Sequence, residues 1–496
     1  MLEKLLAKKT DFSDVDASEG PCLKRTLGPW GLTALGIGAV IGGGIFVITG
    51  QAAAEHAGPA IVLCFVIAAF CCSFTALCYA EFATLIPMSG SSYSYAYATL
   101  GEFVAWFIGW NMVLEYGVSA SAVAVSWTGY FTSLLDHIGI HLPASLTNAP
   151  LAFTDNHLVV TGALFNLPAV AIVLALTWVC YVGIKESSGA NLAMVILKVA
   201  LIVIVIVVGA SYVNPDYWHP FIPDNQGPEK YGWSGIMRGA TLVFFSYIGF
   251  EATSTAAQEA RNPQRDLPIG TIASLAICTV LYIGMAIVLT GLLPYDQLGT
   301  PEPVVTAIKA HPELDWLRWL VEFGALIGLS SVILVMVIAQ PRIFMIMGRD
   351  GLMPPVFAKI HPKYCTPHIN TVITGFGIAL LAAVFPLDVL GDLVSMGTLI
   401  AFVAVCVGVL ILRRTQPDLP RTFRVPWAPV TCALGVLSCL TLLYWENWYN
   451  WTLMLVWTLI GFVIYFGYGF RHSKLRANGS GAMTAGAART APSVRA

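Results

Sequence analysis

The sequence has few charged residues. Only 11% of its 496 residues are Asp, Glu, Lys or Arg, whereas a soluble globular domain contains about 25%. With a formal net charge of −2, it lacks the basic surface that nucleic-acid binding requires. The eleven cysteines show neither metal-ligand spacing with histidine nor a disulfide framework. All nine histidines lie outside the middle of the apolar runs, which argues against an intramembrane metal site or a histidine proton relay.

Long apolar runs occupy most of the chain instead. Hydrophobic residues make up 57% of the sequence, and the runs are about 20 residues long, enough to cross a bilayer as a helix. They lack the alternation of apolar and polar residues that marks a transmembrane barrel. The sequence therefore predicts an all-α polytopic membrane protein with twelve transmembrane helices, at residues 30–53, 58–84, 101–134, 165–184, 188–213, 232–257, 268–293, 316–347, 370–386, 389–412, 427–445 and 450–470.

The positions of lysine and arginine predict the orientation. If the N-terminus is cytoplasmic, most of the 26 lysines and arginines fall on the cytoplasmic side. We therefore expect a multi-pass protein of the inner (plasma) membrane with both termini in the cytoplasm. The N-terminal segment 1–29 shows no signal-peptide pattern. The small and polar residues 473–496 predict a disordered cytoplasmic tail.

The first ten spans divide into two sets of five. Because each set contains an odd number of spans, residues 30–213 and 232–412 enter the membrane in opposite senses, and spans 11 and 12 (427–470) follow. Span 1 carries five glycines in "GIGAVIGGGIF", and span 6 carries a central Gly in "FFSYIGFEATS". An inverted repeat whose first helices are interrupted by glycine points to a transporter site at the membrane midplane. Close packing of small residues is an alternative explanation for some glycines, whereas a dinucleotide-binding fingerprint is rejected because no strand precedes it.

Interrupted helices expose backbone groups that can bind a ligand. Freed N–H and C=O groups are tolerated at membrane depth only where they line a cavity or are buried in protein. The N–H groups of Gly42, Gly43 and Gly44 begin a half-helix, whose dipole favours a carboxylate. An ammonium group would suit freed carbonyls, and the candidates are Val40, Ile41, Phe245, Ser246 and Ile248. The ligand that carries both groups on one carbon is an amino acid.

Three of the charged residues within the apolar runs are candidates for a functional role. Lys198 is near the centre of span 5, where a lysine costs about 2.5–3.5 kcal/mol, so we expect it to face the protein interior and to exchange a proton. Glu115 in span 3 has three candidate roles: a counter-ion for a cationic substrate side chain, a second proton carrier, or a structural partner of freed backbone. Glu251 follows the span-6 break and is predicted to bind loosened N–H groups there, in a structural or gating role.

Three motifs resemble those of a known family. They are "GIGAVIGGGIFVITG", "FFSYIGFEATSTAAQEARNPQRDLPIGT" and "GRDGLMPPVFAKIHPKYCTP". From about residue 25 to 470 the chain resembles the amino acid–polyamine–organocation (APC) superfamily, and within it bacterial members of the cationic amino acid transporter family. The resemblance implies the inverted-repeat fold of the leucine-transporter (LeuT) type. It places the substrate carboxylate at Gly43 and Gly44 and the α-amino group at the carbonyls of Val40, Phe245 and Ile248.

The resemblance also implies roles for three further side chains. Lys198 matches a span-5 lysine that takes the place of a sodium ion in sodium-coupled relatives, which implies proton coupling. Glu115 matches the family's span-3 glutamate. Met336 falls where span 8 walls the side-chain pocket, and methionine there implies a small pocket. Relatives often have Ser or Thr where this chain has Gly43, so one hydroxyl contact is missing.

Together these observations predict a proton-coupled amino-acid importer that works by alternating access and needs no cofactor or metal. Met336 favours small neutral L-amino acids, and Glu115 favours cationic ones. Protonated Lys198 would tether span 5 to the span-1 break and to Ser330 or Ser331 of span 8. The expected partners are the substrate and the lipid bilayer, and a small membrane accessory subunit remains open.

Three alternative functions make different demands on the sequence. An exchanger would swap amino acids or polyamines without net proton flux, and the sequence leaves this open. A transceptor or partner-bound subunit would be supported by a signalling domain, which the sequence lacks. An intramembrane enzyme is disfavoured because no nucleophile, base and orienting group come together along any span.

Overall fold

The computed structural model describes residues 5, 7–8, 27–85, 90–154, 157–183, 188–227, 229–257, 260–364, 366–419 and 421–476. Most of the predicted N-terminal segment and most of the predicted tail lie outside these residues.

The described chain folds mainly into helices. A two-stranded antiparallel hairpin, β1 (Leu151–Thr154) and β2 (His157–Val160), pairs Leu151 with Val160. The α-helices are α1 (Pro29–Val40), α2 (Thr49–Ala52), α3 (Ile61–Leu85), α4 (Ser91–Thr99), α5 (Glu102–Val113), α6 (Ser119–His137), α7 (Leu167–Val182), α8 (Ser188–Gly209), α9 (Gly232–Phe244), α10 (Ala252–Thr255), α11 (Pro263–Leu292), α12 (Pro303–Lys309), α13 (Asp315–Arg349), α14 (His368–Val384), α15 (Leu387–Thr415), α16 (Ala428–Tyr444), α17 (Trp448–Ile464) and α18 (Phe470–His472).

Many of these helices are suited to a lipid bilayer. Within the described residues, six helical stretches are long and apolar enough to cross a membrane, and α1, α7, α14 and α16 are shorter apolar helices. Apolar side chains such as Val280, Leu380 and Val463 are exposed on the outer surface, where lipid would cover them. The predicted class, a polytopic helical membrane protein, is confirmed.

Glycines bring the inner helices into close contact. α11 packs along α1 and α3, and α13 packs along α6 and α8. A Cβ atom on Gly36 of α1 would lie 2.6 Å from Ser274 Oγ of α11 and 3.0 Å from Thr253 Cγ2. For Gly36, close helix packing is therefore the reason for the glycine.

Both predicted interruptions are present as changes of backbone conformation. α1 ends at Val40, Ile41 is extended (φ −74°, ψ 97°), and a π-helical stretch begins at Gly44. After α9 and one short turn, Ile248 is extended (φ −63°, ψ 130°). Gly249 follows with φ +121°, which L side chains rarely adopt. The backbone conformation of span 6 therefore requires glycine at position 249.

Two boundaries differ from the expected ones. α11 begins at Pro263 rather than at residue 268, because the carboxylate of Asp266 accepts a hydrogen bond from the N–H of Asn262 (3.2 Å) and so stabilises the start of the helix. The first residues of the predicted tail are packed against the protein. Ser473 donates a hydrogen bond to Glu102, and Arg476 forms an ion pair with Glu102.

Candidate functional site

The two helix interruptions face each other. A Cβ atom on Gly44 would lie 2.3 Å from Ser246 Oγ and 2.5 Å from Ser246 Cα, and one on Gly249 would lie 2.8 Å from the carbonyl carbon of Ala39. These distances are too short for any side chain. Gly44 and Gly249 therefore allow the span-1 and span-6 backbones to meet, and this contact defines the centre of the site.

A tyrosine that sequence reasoning missed joins the two interruptions. The hydroxyl of Tyr282 in α11 lies 2.9 Å from the Val40 carbonyl oxygen and 2.7 Å from the Ser246 carbonyl oxygen, and its single proton is shared between these two acceptors. The ring packs against Phe65 and Tyr247, at centroid distances of 5.4 and 5.3 Å. Two of the carbonyls predicted for an ammonium group thus already have a partner, although a carbonyl oxygen can accept a second hydrogen bond. The sequence feature that could have identified Tyr282 is its polar hydroxyl in the middle of an apolar run.

Lys198 contacts the span-1 interruption. Its side chain is buried, and its Nζ donates to the carbonyl oxygens of Gly38 (2.9 Å) and Ile41 (3.3 Å). The predicted link to Ser330 or Ser331 is not formed. Ser331 Oγ donates to Gly328 O (2.9 Å), and Ser330 Oγ donates to the carbonyl one turn earlier in α13. A hydroxyl inside a helix bonds readily to a preceding carbonyl, which explains why these serines stay within α13.

Glu115 and Glu251 lie together at the span-6 interruption. Glu251 Oε2 accepts a hydrogen bond from the Gly249 N–H (3.1 Å), which is the contact predicted for loosened backbone. Glu115 lies in the π-helical stretch Leu114–Val118 and is fully buried. Its carboxyl group interacts with that of Glu251. Among the three predicted roles of Glu115, this position favours a proton carrier or a structural partner.

A cavity of about 650 Å³ leads to the span-1 interruption. The hairpin, α6 and the helical turns that follow Gly44 contribute to its wall, and Ser126 of α6 is among the lining residues. A Cβ atom on Gly43 would lie 2.6 Å from Ser126 Oγ. The cavity therefore extends from the hairpin to the neighbourhood of Gly43, and Ser126 is a second site residue that sequence reasoning missed.

Met336 lies on the face of α13 that looks toward the interruption. A Cβ atom on Gly42 would lie 3.3 Å from Val332 Cγ2, and residues four apart share a helix face. Met336 is one turn from Val332 and is buried. The predicted position of Met336 beside the site is compatible with this geometry.

The opposite end of the site is closed by contacts of α4. Tyr93 donates a hydrogen bond to Asp350 Oδ2 (2.7 Å), beyond the end of α13. The hydroxyls of Ser91 and Ser254 are 2.9 Å apart and join α4 to α10. The cavity is therefore on the hairpin side, while these contacts hold the α4 side together.

A buried charge network lies near the hairpin end. Arg238 of α9 forms ion pairs with Asp392 of α15 and with Glu446 (3.2 Å), which lies between α16 and α17. One guanidinium thus faces two buried carboxylates, and burial raises the pKa of Glu446 to about 8. Among the described residues, no group of three or more His, Cys, Asp or Glu side chains is placed to hold a metal ion.

Comparison with known proteins identifies what the chain resembles. Residues 27–468 match the model of the family described as amino acid permease. The chain is 48% identical over 476 residues to the branched-chain amino acid permease BcaP of Bacillus subtilis (strain 168), covering 96% of this chain and 100% of the relative. It is 44% identical over 458 residues to the methylthioribose transporter of the same organism (92% and 96%). It is 37% identical over 413 residues to the vacuolar cationic amino acid transporter 4 of Arabidopsis thaliana (83% and 67%).

Proposed function

The chain belongs to the amino acid permease family, and from this premise we propose that it is a proton-coupled importer of neutral L-amino acids. Family membership makes it a multi-pass membrane transporter and not an enzyme. Proton coupling, direction and substrate class are our proposals. The observation that carries them is the meeting of two interrupted helices at Gly44 and Ser246, with the amine of Lys198 bonded to one of them.

We assign twelve membrane crossings in a five-plus-five inverted repeat of the LeuT type. Each predicted span overlaps at least one described helix, and the interruptions occur in the first helix of each proposed repeat. We place the hairpin and the cavity outside the cell and both termini in the cytoplasm, because that orientation puts most lysines and arginines inside. The membrane is the bacterial plasma membrane in this proposal, as the bacterial relatives suggest.

The substrate would bind with its two charged groups on the backbone. Its carboxylate would accept hydrogen bonds from the N–H groups of Gly43 and Gly44, at the start of the helical stretch. Its ammonium would donate to the carbonyls of Phe245 and Ile248. The Phe245 carbonyl also accepts from the Ile248 N–H (3.2 Å), and a carbonyl oxygen can accept a second hydrogen bond. Substrate binding would thus join the two interrupted helices, and that contact is the basis for alternating access.

Two observations favour neutral over cationic substrates. The carboxyl group of Glu115 interacts with Glu251, so it is not free to act as a counter-ion for a substrate side chain. Met336 is a larger wall residue than those that accompany large cationic substrates. The higher identity to a branched-chain permease than to a cationic transporter points the same way.

A binding screen tests the substrate class. Purified protein would be screened at two pH values against the twenty amino acids and methylthioribose, which is included because of the second relative. We expect small neutral and branched-chain amino acids to bind. Tight binding of arginine without binding of neutral amino acids, or binding of methylthioribose alone, would refute the proposed substrate class.

Uptake into empty proteoliposomes separates symport from exchange. An inwardly directed proton gradient should drive accumulation of the substrate without internal amino acid. If uptake requires internal substrate and ignores the proton gradient, the protein is an exchanger and the proposed coupling is wrong.

A further inference from the structure

The pair formed by Glu115 and Glu251 has few hydrogen-bond donors. Both side chains are fully buried. Glu251 Oε2 accepts a hydrogen bond from Gly249 N–H, and the Tyr116 hydroxyl interacts with Glu115. The two carboxyl groups are within hydrogen-bonding range of each other. Two acceptors therefore face each other, with one side-chain hydroxyl beside them.

The groups around the pair supply no positive charge. The titratable side chains near it are Cys72 and Tyr79 of α3, Tyr95 of α4, and Tyr116 next to Glu115. Among the described residues that act electrostatically on the pair, none is a lysine, arginine or histidine. The hydroxyl of Tyr79 is bonded to Ser92. Two neighbouring carboxylates in an apolar environment cannot both stay ionised without a counter-charge.

Aromatic packing holds the pair in place. The rings of Tyr79, Phe250 and Phe402 form a cluster with centroid distances of 5.5 to 6.0 Å. Phe250 directly precedes Glu251, and Leu114 directly precedes Glu115 and packs against Gly397, one turn before Phe402 on α15. The backbone next to each glutamate is thus packed against α15 or α3.

We propose that Glu115 and Glu251 share one proton in a carboxyl–carboxylate hydrogen bond, which makes them a proton-binding site distinct from Lys198. The bond links the π-helical stretch of span 3 to the span-6 interruption. Loss of the proton leaves two carboxylates in contact. Their repulsion loosens the Glu251 contact with Gly249 and frees the interruption to move. This inference concerns a bound proton and does not depend on the identity of the substrate.

Infrared spectroscopy of the purified protein tests the proposal without transport. A protonated carboxylic acid gives a carbonyl stretching band that shifts on exchange into deuterium oxide. We expect this band in the wild-type protein and its loss from difference spectra in either Glu115→Gln or Glu251→Gln, since the new amide donates to the remaining carboxylate and makes the proton unnecessary. The matched control is Glu322→Gln, because Glu322 is a buried glutamate that already pairs with Arg318 (2.9 Å) and should not contribute to the band.

The outcomes are distinct from those for the proposed transport function. An unchanged band in both single variants, or no such band in the wild-type protein near neutral pH, would overturn the shared proton. If one variant does not fold, the spectrum of the other variant still tests the proposal. If neither folds, absence of the band from the wild-type spectrum is enough to exclude it. A protein whose band is lost in the Glu115→Gln and Glu251→Gln variants but that transports no amino acid would keep this proposal and refute the proposed function.

Discussion

Replacement of Lys198 tests both the architecture and the coupling. The Lys198→Ala substitution removes two hydrogen bonds, to the carbonyls of Gly38 and Ile41, each worth about 1.5–3 kcal/mol because the donor is charged. It leaves those carbonyls without this partner at membrane depth. A loss of about 3 kcal/mol, the low end of the combined range, lowers the population of the interrupted span-1 conformation roughly 100-fold against competing conformations.

The substitution should separate binding from coupling. The apparent Kd should weaken by at most about the same 100-fold, because only the population of the competent conformation changes. Accumulation driven by a proton gradient should be abolished, because the amine proposed to couple proton and substrate movement is gone. The Lys198→Arg variant should keep binding closer to wild type and also lose accumulation, since arginine keeps its proton. Binding would be followed by a thermal shift with substrate, and uptake by radiolabel in proteoliposomes.

One control variant and two results test the proposed coupling role of Lys198. Lys309→Ala makes the same chemical change at a lysine that is 40% exposed and should leave both binding and uptake unchanged. If Lys198→Ala concentrates substrate as well as wild type under a pH gradient, Lys198 does not couple the proton. If Lys198→Arg also accumulates substrate, deprotonation at this position is not required.

Three further predictions follow from individual contacts. Gly43→Ser should reduce uptake because its Cβ would lie 2.6 Å from Ser126 Oγ, but the loss should be partial because the Ser126 hydroxyl can rotate away. Adding Ser126→Gly should restore uptake; no recovery in the double variant would exclude this clash as the cause. Met336→Ser should extend the binding screen to arginine, and an unchanged range would show that Met336 does not limit the pocket. Because burial raises the pKa of Glu446 from 4.5 to about 8, the folded protein holds a proton between these values that the unfolded chain releases. The melting temperature should therefore fall as the pH rises through this window, and less steeply in Glu446→Gln; equal slopes would contradict the assignment.

The helices were predictable because each apolar run is a local feature of the sequence. The apolar runs mark helices such as α13 and α15, since the length of an apolar run is a property of the sequence alone. The hairpin Leu151–Val160 and the short α12 were not predicted, because they lie in polar connections without strong periodicity. The start of α11 lies before the predicted span because the apolar run begins only at residue 268, whereas the Asp266 carboxylate bonds to the backbone at the beginning of the helix.

The sequence alone determined the membrane class, the glycines at the two interruptions and the lysine at mid-membrane, because composition, run length and single residues carry these features. The tertiary structure decided which side chains and backbone groups contact one another at the site. Only the fold brings the Tyr282 hydroxyl to both interrupted helices, Ser126 to Gly43, and Glu115 to Glu251. The hydroxyls of Ser330 and Ser331 bond to carbonyls of their own helix instead of to Lys198. The physical reason is that hydrogen bonds act over about 3 Å, so their partners depend on how distant segments pack.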